Sequence, residues 1–166
     1  MFLRYLLLLI VTVACCSVGT LAQEAPGFGE ADKLAIEKMY DRYAQAFIKK
    51  DYAALRECVQ APFVLLPGRG MMVESVDAVI TFYRNQRESL EERNYDHSDI
   101  VSTRIIPLTA DDALINVAYR RYKKDGSLLE EGAAFYPVSK SSGDWKLRGA
   151  VAQEPKYFGK VYDGKR

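Results

Sequence analysis

The spacing of apolar residues predicts an amphipathic helix over residues 32–48. Four apolar side chains recur there at i, i+4, i+7 and i+11, namely Ile36, Tyr40, Tyr43 and Phe47. This is the period of one helix face, so we expect these side chains to be buried together. Asp51 follows at the place of an N-cap and predicts a short second helix over residues 52–58.

A strand and a third helix are predicted next along the chain. The apolar run 62–66 is typical of a strand, residues 68–70 predict a turn, and residues 71–74 can pair back as a short hairpin arm. Ser75 is a suitable N-cap, and Asn94 predicts the end of the third helix. The buried stripe predicted for this helix comprises Val76, Val79, Ile80, Tyr83 and Leu90.

The remainder of the chain is predicted to form a β-meander. Four segments are rich in β-branched, aromatic and aliphatic residues, at 100–108, 114–123, 128–138 and 145–151. Polar turn sequences separate them, and the pair Asp125-Gly126 is a specific hairpin signal because its turn needs positive φ at both central residues. Helices followed by a meander predict an α+β fold, in which a strongly bent antiparallel sheet wraps as a cone over about three N-terminal helices.

The first 22 residues have the order of a secretory signal peptide. One arginine precedes an uncharged apolar run over residues 5–16, and Thr20 and Ala22 are the small residues that a signal peptidase reads. We therefore expect cleavage after Ala22 and a secreted or periplasmic protein without membrane association. A membrane anchor is the alternative, although the apolar run is short for a span. A lipid anchor on Cys15 or Cys16 lacks the usual leucine three positions earlier.

Charge and cysteine content narrow the classes of partner. Removing the signal takes away one arginine and no acid, which leaves 144 residues with 22 basic and 22 acidic side chains. A net charge near zero argues against nucleic acid or an anionic membrane as a partner, because proteins that bind either of them need a clear excess of basic residues. Cys58 is the one cysteine left, so no internal disulfide can form. Its apolar surroundings predict a small buried hydrophobe.

Four segments carry a family pattern. They are Asp-Arg-Tyr at 41–43 with Lys-Asp-Tyr-Ala-Ala-Leu at 50–55, the passage 57–68, Phe-Tyr-Arg at 82–84, and Gly-Asp-Trp-Lys-Leu at 143–147. Their order and spacing resemble the nuclear transport factor 2-like superfamily, in particular its SnoaL-like and ketosteroid-isomerase-like branches. The resemblance implies a cone-shaped pocket for a small apolar or amphipathic molecule, often in a homodimer. It also implies a SnoaL-like domain over 32–155, after a short flexible lead at 23–31 and before a basic, aromatic tail at 156–166.

The resemblance also locates three positions at which the ketosteroid-isomerase branch carries its catalytic groups. Tyr43 matches the tyrosine that stabilises the oxyanion. The general base belongs directly before Pro67, where this chain has Leu66. The late acid belongs within 132–138, which contains no carboxylate. Because two of these three groups are absent, we expect no steroid isomerisation by this mechanism.

Further polar residues are candidates for lining a pocket, and they comprise Tyr40, Tyr43, His97, Asn116, Tyr119, Arg120, Glu131 and Tyr136. Arg120 and Arg121 are neighbours on one predicted strand and point to opposite faces, so at most one of them looks inward. His97 is the one histidine of the chain, which excludes a two-histidine dehydratase. With Asp96 and Asp99 it makes only a weak metal signal. We expect no metal site, no cofactor and a half-exposed strand-edge position for His97.

The sequence therefore predicts a pocket that binds a small apolar or amphipathic ligand, with ligand-binding residues Tyr40, Tyr43, Phe63, Leu66, Asn116 and Tyr136. Two alternatives stay open. One is a lyase or isomerase of the same fold that uses Tyr43 and His97. The other is a structural dimerisation domain whose cone is filled with side chains. An inward His97 or Glu131 favours the enzyme, whereas a wall of Leu66, Phe63, Tyr136 and alanines favours binding.

Overall fold

The computed structural model describes residues 27–66, 70–141 and 143–160. Within these ranges the helices are α1 Glu30–Lys49, α2 Tyr52–Glu57 and α3 Val76–Glu92, followed near the C-terminus by a 3-10 turn at Pro155–Tyr157. The strands are β1 Val59–Leu66, β2 Met71–Val73, β3 Tyr95–Pro107, β4 Asp112–Lys123, β5 Leu128–Ser141 and β6 Asp144–Gln153. The predicted signal peptide, the turn residues before Gly70 and the end of the tail lie outside the described residues.

Helices α2 and α3 begin after the predicted N-cap residues, whereas α1 begins two residues earlier than predicted, after Gly29. The Asp51 carboxylate accepts the backbone N–H of Ala54 at 2.9 Å at the start of α2, and the Ser75 hydroxyl does the same at the start of α3. Lys50 has φ +58° after α1, and Asn94 has φ +61° just beyond α3. Asparagine tolerates this left-handed conformation better than most residues, so the predicted end of α3 is confirmed.

The six strands form one open sheet in the order β2-β1-β6-β5-β4-β3. Neighbouring strands pair antiparallel, apart from β1 and β6, which run parallel. The late meander and the hairpin arm are confirmed, and β3 begins five residues earlier than predicted, at Tyr95. The predicted α+β class is confirmed, since α1 and α3 pack on one face of this sheet.

The core lies between the helices and the inner sheet face. Its fully buried side chains come from every layer and include Ile36, Leu55, Phe63, Tyr83, Ile115 and Leu147. Cys58 is 1% exposed, and its thiol contacts the backbone oxygen of Ala54 at 3.4 Å. Burial raises the pKa of the Cys58 thiol, because the thiolate would lose its hydration. The prediction of a small buried hydrophobe is therefore confirmed.

Asp32 connects the start of α1 to the end of β5 and the start of β6. Its Oδ1 accepts hydrogen bonds from the Lys140 ammonium at 3.0 Å and from the Trp145 indole N–H at 3.2 Å. Its Oδ2 accepts the backbone N–H of Gly29 at 3.1 Å. The Lys140 bond, followed by the Gly29 bond, lowers the pKa of the Asp32 carboxyl.

The chain after β6 turns back over the outer face of the sheet. The Gln153 amide donates to the backbone oxygen of Tyr157 at 3.0 Å, and the Arg104 guanidinium lies 5.9 Å from the ring centre of Phe158. This part of the predicted tail is therefore attached to the sheet as far as residue 160. No helix in the described ranges is long and apolar enough to cross a membrane.

Candidate functional site

A cavity of about 440 Å³ lies between the two long helices and the inner face of the sheet. From α1 it is lined by Tyr40, Tyr43, Ala44, Phe47 and Ile48, and from α3 by Phe82, Tyr83 and Gln86. Three of these are members of the stripe that predicted α1. One apolar helix face therefore forms both part of the core and the roof of the cavity.

The sheet wall of the cavity is divided by polarity. Strands β2, β1 and β6, together with Gly70 directly before β2, contribute an apolar half, consisting of Gly70, Met71, Leu65, Leu66, Ala150 and Ala152. Strands β5, β4 and β3 contribute Ala134, Tyr136, Tyr119, Arg121, Ser98 and Ile100, and so carry every polar side chain that the sheet provides. Because these groups of strands are the two halves of the sheet order, the cavity has an apolar side and a polar side.

Four tyrosines form an aromatic cluster at the roof and floor of the cavity. Tyr43 lies 5.5 Å from Tyr40, 5.6 Å from Tyr83 and 5.7 Å from Tyr136, measured between ring centres. Tilted and edge-to-face contacts at these distances stabilise aromatic pairs. Burial raises the pKa of all four phenols. Each is therefore a neutral hydroxyl at physiological pH and able to donate a hydrogen bond.

The two neighbouring arginines of β4 do point to opposite faces. Arg120 points outward and donates to Glu131 at 2.8 Å, with both side chains about half exposed. Arg121 points to the cavity, keeps 14% of its side chain exposed, and donates to Glu130. Its guanidinium carbon lies 4.7 Å from the ring centre of Tyr119, and its buried Nε has no partner among the described residues. A buried donor without an acceptor costs roughly 1–3 kcal/mol.

Gly132 makes room for the Tyr119 ring. The two residues are directly opposite each other in the β4–β5 pairing. A Cβ at position 132 would lie 2.2 Å from Cζ of Tyr119 and 2.4 Å from its hydroxyl oxygen. Any side chain here would displace the ring, so glycine lets Tyr119 lie flat across β5 beside Arg121.

The structure brings four of the six predicted ligand-binding residues to the cavity: Tyr40, Tyr43, Leu66 and Tyr136. Phe63 is fully buried in the core and lies against Tyr83, 6.1 Å between ring centres. Asn116 belongs to the opposite face of β4, because β-strand side chains alternate. There its amide donates to Gln153 at 3.1 Å. That the four lining residues bind a ligand stays a prediction.

The candidate catalysts other than Tyr43 lie outside the cavity. His97 is on edge strand β3, with its side chain 43% exposed, its Nδ1 2.8 Å from Asp96 and its ring stacked on Tyr122. Its strand-edge position is as predicted. Glu131 pairs outward with Arg120. Neither residue is among the described residues that line the cavity beside Tyr43.

No carboxylate or imidazole is among the described residues that line the cavity. In the same described part of the chain, no group of three His, Cys, Asp or Glu side chains is arranged to hold a metal ion. The cavity can therefore offer a bound molecule apolar contact, tyrosine and serine hydroxyls, one amide and one guanidinium.

Sequence reasoning missed several lining residues, most clearly Ala150 and Ala152. On β6 the inward side chains are Trp145 and Leu147, and a register irregularity between β5 and β6 then changes which residues face inward. The bulge has no sequence signal that a single chain reveals. Arg121 was identified only as one of two possible inward arginines, since alternation alone does not say which strand face is buried.

The comparison with known proteins agrees with this geometry. The sequence profile of a family described as NTF2-like protein (DUF6841) matches residues 31–155. The chain belongs to this family, and the resemblance to the nuclear transport factor 2-like superfamily is confirmed. No curated protein matches the chain.

Solved structures share the fold at low sequence identity. One is a protein of unknown function with a cystatin-like fold from Nostoc punctiforme, with a TM-score of 0.62, 13% identity, and 78% of this chain and 98% of that one covered. Another, from Shewanella frigidimarina, is proposed to be a ketosteroid isomerase. Its TM-score is 0.59 at 13% identity, and 72% of this chain and 94% of that one are covered. A third, from Streptomyces avermitilis, is proposed to be a dehydratase of the NTF2-like family. Its TM-score is 0.57 at 14% identity, and 74% of this chain and 94% of that one are covered. At these identities the likeness establishes the fold and leaves the activity open.

Proposed function

We propose that this NTF2-like chain is a binding protein for one small apolar or amphipathic molecule, held in the cavity between α1, α3 and the sheet. The observation that carries the proposal is the composition of the wall. A cavity of about 440 Å³ is within the size range of small-molecule sites. Its surface is mainly aliphatic and aromatic, with a few polar groups that can orient a ligand.

Two alternatives have less support. A lyase or isomerase using Tyr43 needs a proton acceptor beside its substrate, and His97 and Glu131 both face away from the cavity. Proteins proposed to be isomerases and dehydratases share the fold, but this likeness carries no catalytic residue into the chain. A purely structural dimerisation domain would have no use for an unfilled cavity, although a homodimer of the binding protein is compatible with the proposal.

The test is saturable binding of N-phenyl-1-naphthylamine, a neutral apolar probe whose fluorescence rises in apolar surroundings. We expect one site per chain in the wild type. Ala150→Phe places an aromatic ring on the cavity wall and should abolish the signal. Ala53→Phe is the matched control, because Ala53 is exposed on α2 and does not line the cavity. Wild-type protein without saturable binding, or undiminished binding by Ala150→Phe, would contradict the proposal.

We also propose that the ligand is bound outside the cytoplasm, after removal of residues 1–22. The support is the order of charged, apolar and small residues at the N-terminus. N-terminal sequencing of protein from the exported fraction should read Gln23 first. An intact Met1 on protein in a membrane pellet would refute it.

A further inference from the structure

We propose that the ligand is an anion, an amphipathic molecule whose carboxylate or similar oxyanion lies against Arg121 while its apolar body lies against β1, β2 and β6. This inference rests on the proposed binding function and goes beyond it, because it gives the ligand a charge and a direction in the cavity. Three observations carry it.

The first observation is the charge of the cavity wall. Among the described residues that line the cavity, Arg121 is the single charged one, and it faces no acidic lining residue. An arginine is protonated at every physiological pH. A cavity with one fixed positive charge and otherwise neutral walls attracts anions and repels cations.

The second observation is that Arg121 is incompletely neutralised by the protein. Its one carboxylate partner, Glu130, also accepts a hydrogen bond from Arg93 at 2.6 Å. Two guanidinium groups therefore share one carboxylate, and one positive charge is left over. The Arg121 Nε has no acceptor among the described residues. A ligand oxyanion can supply the missing negative charge, and arginine with carboxylate is a strong charge-assisted pair.

The third observation is the arrangement of neutral donors around this arginine. Ser98 is opposite Arg121 in the β3–β4 pairing, and both line the cavity. Tyr119, over which the guanidinium stacks, and Tyr136 lie on the same polar half of the wall. The described residues of the other half offer no hydrogen-bond donor from a side chain, because they are leucine, methionine, alanine and glycine. The polar end of a ligand would therefore bind at the polar half of the wall, and its apolar end at the other half.

The experiment compares three probes that share one apolar body: 2-naphthylacetate, 2-(2-naphthyl)ethanol and 2-(2-naphthyl)ethylammonium. Their dissociation constants for the wild type are measured by titration calorimetry. We expect the carboxylate to bind about tenfold or more tighter than the alcohol, as a hydrogen bond to a charged group implies. The ammonium compound should bind most weakly.

The variants locate the source of that preference. Arg121→Met removes the charge and keeps an apolar stem, so carboxylate and alcohol should bind equally. Arg120→Met makes the same change of net charge on the outer face of the same strand and should keep the full preference. Arg121→Lys should restore part of it, since it restores the charge without the planar fork. Circular dichroism and thermal unfolding check that each variant is folded.

The outcomes separate this inference from the proposed function. If neither the alcohol nor N-phenyl-1-naphthylamine binds to the wild type, the binding function itself is wrong. If both bind and the carboxylate has no advantage, only the anion inference is wrong. A preference that survives in Arg121→Met also overturns it. The wild-type series alone decides the matter if Arg121→Met does not fold.

Discussion

At the scale of single residues, Leu66 is the lining residue that bears most directly on the expected chemistry of the cavity. The resemblance described above predicts that it stands where the ketosteroid-isomerase branch of the superfamily has its general base, and it lines the cavity with 38% of its surface exposed. Tyr43, which the same resemblance matches to the oxyanion tyrosine, lines the same cavity and remains protonated because burial raises its pKa. Among the described residues, the cavity therefore places a hydrogen-bond donor at one of these predicted positions and an apolar side chain at the other.

The first prediction tests this arrangement with a 3-oxo-steroid whose isomerisation is followed by absorbance. The wild type should show no rate above background, because a positioned base supplies on the order of 10²–10⁴-fold. Leu66→Asp should place a carboxyl on the apolar half of the wall, where desolvation raises its pKa and makes it a better base. Leu66→Asn is the matched control. Wild-type activity that Tyr43→Phe abolishes would show that the residue correspondence is wrong.

A second prediction at this scale concerns Gly132. Gly132→Ala should displace the Tyr119 ring, since the new Cβ would overlap it. Overpacking of this kind destabilises a protein by about 1–3 kcal/mol. The double variant Gly132→Ala with Tyr119→Ala should be less destabilised than the sum of the two single variants, because the clash needs both side chains. Urea denaturation measures all four proteins, and strict additivity would mean that the ring does not need this glycine.

At the scale of elements, the start of α1 is attached to the sheet by one carboxylate. Asp32 accepts bonds from Lys140 on β5 and Trp145 on β6, as well as the backbone bond from Gly29. These partners lower the pKa of Asp32 in the folded protein. A group whose folded pKa is lowered stabilises the fold above its unfolded pKa, and this stabilisation is lost as the pH falls through the folded value.

The corresponding prediction is a pH-dependent stability difference between the wild type and Asp32→Asn. The wild type should be the more stable protein at pH 7, and the gap should begin to narrow as the pH falls below the ordinary aspartate value of 3.8 and should close as the pH passes the lowered folded value. Chemical denaturation at a series of pH values measures the gap. Asp111→Asn, which alters an exposed turn carboxylate, is the control and should leave the profile unchanged. A gap that stayed constant into acid would mean that the Asp32 charge does not hold α1.

Elements with local signals could be predicted from the sequence, and elements defined by distant pairing could not. Helix α1 was predicted from the period of Ile36, Tyr40, Tyr43 and Phe47, because the residues of one helix face recur every three or four positions along the chain. The parallel pairing of β1 with β6 joins residues more than 80 positions apart, such as Leu65 and Ala150, and has no local signature. Ala150 and Ala152 lie on β6, whose pairing with β1 and whose register irregularity with β5 have no local signal, so this part of the cavity wall could not be predicted.

At the scale of the whole molecule, the cavity is a place where the core has been left incomplete. The helices and sheet border it without filling it, the lining residues Leu66, Met71 and Ile100 stay more than a third exposed, and side chains such as Ala134, Ala150 and Ala152 leave the wall shallow. Natural cores are otherwise packed to the density of organic crystals. The atoms that line an unfilled volume lack dispersion contacts on one side. A bound ligand or a larger side chain can supply these contacts and so raise the free energy of unfolding.

The last prediction follows from these missing contacts in the cavity. A ligand that binds only the folded state should stabilise the wild type by about 2.7 kcal/mol at a hundred times its dissociation constant. N-phenyl-1-naphthylamine should therefore raise the melting temperature of the wild type in a concentration-dependent manner. Ala150→Phe, which occupies the same volume covalently, should be at least as stable as the free wild type and should not respond to the probe.

The control Ala53→Phe should melt and respond as the wild type does. The comparison separates a ligand site from a packing defect. In a defect, filling the space would stabilise the protein and nothing would be lost. In a site, the same substitution exchanges binding for stability, the trade-off expected where function requires a less stable structure. If Ala150→Phe is destabilised and still responds fully to the probe, the ligand lies elsewhere on the molecule.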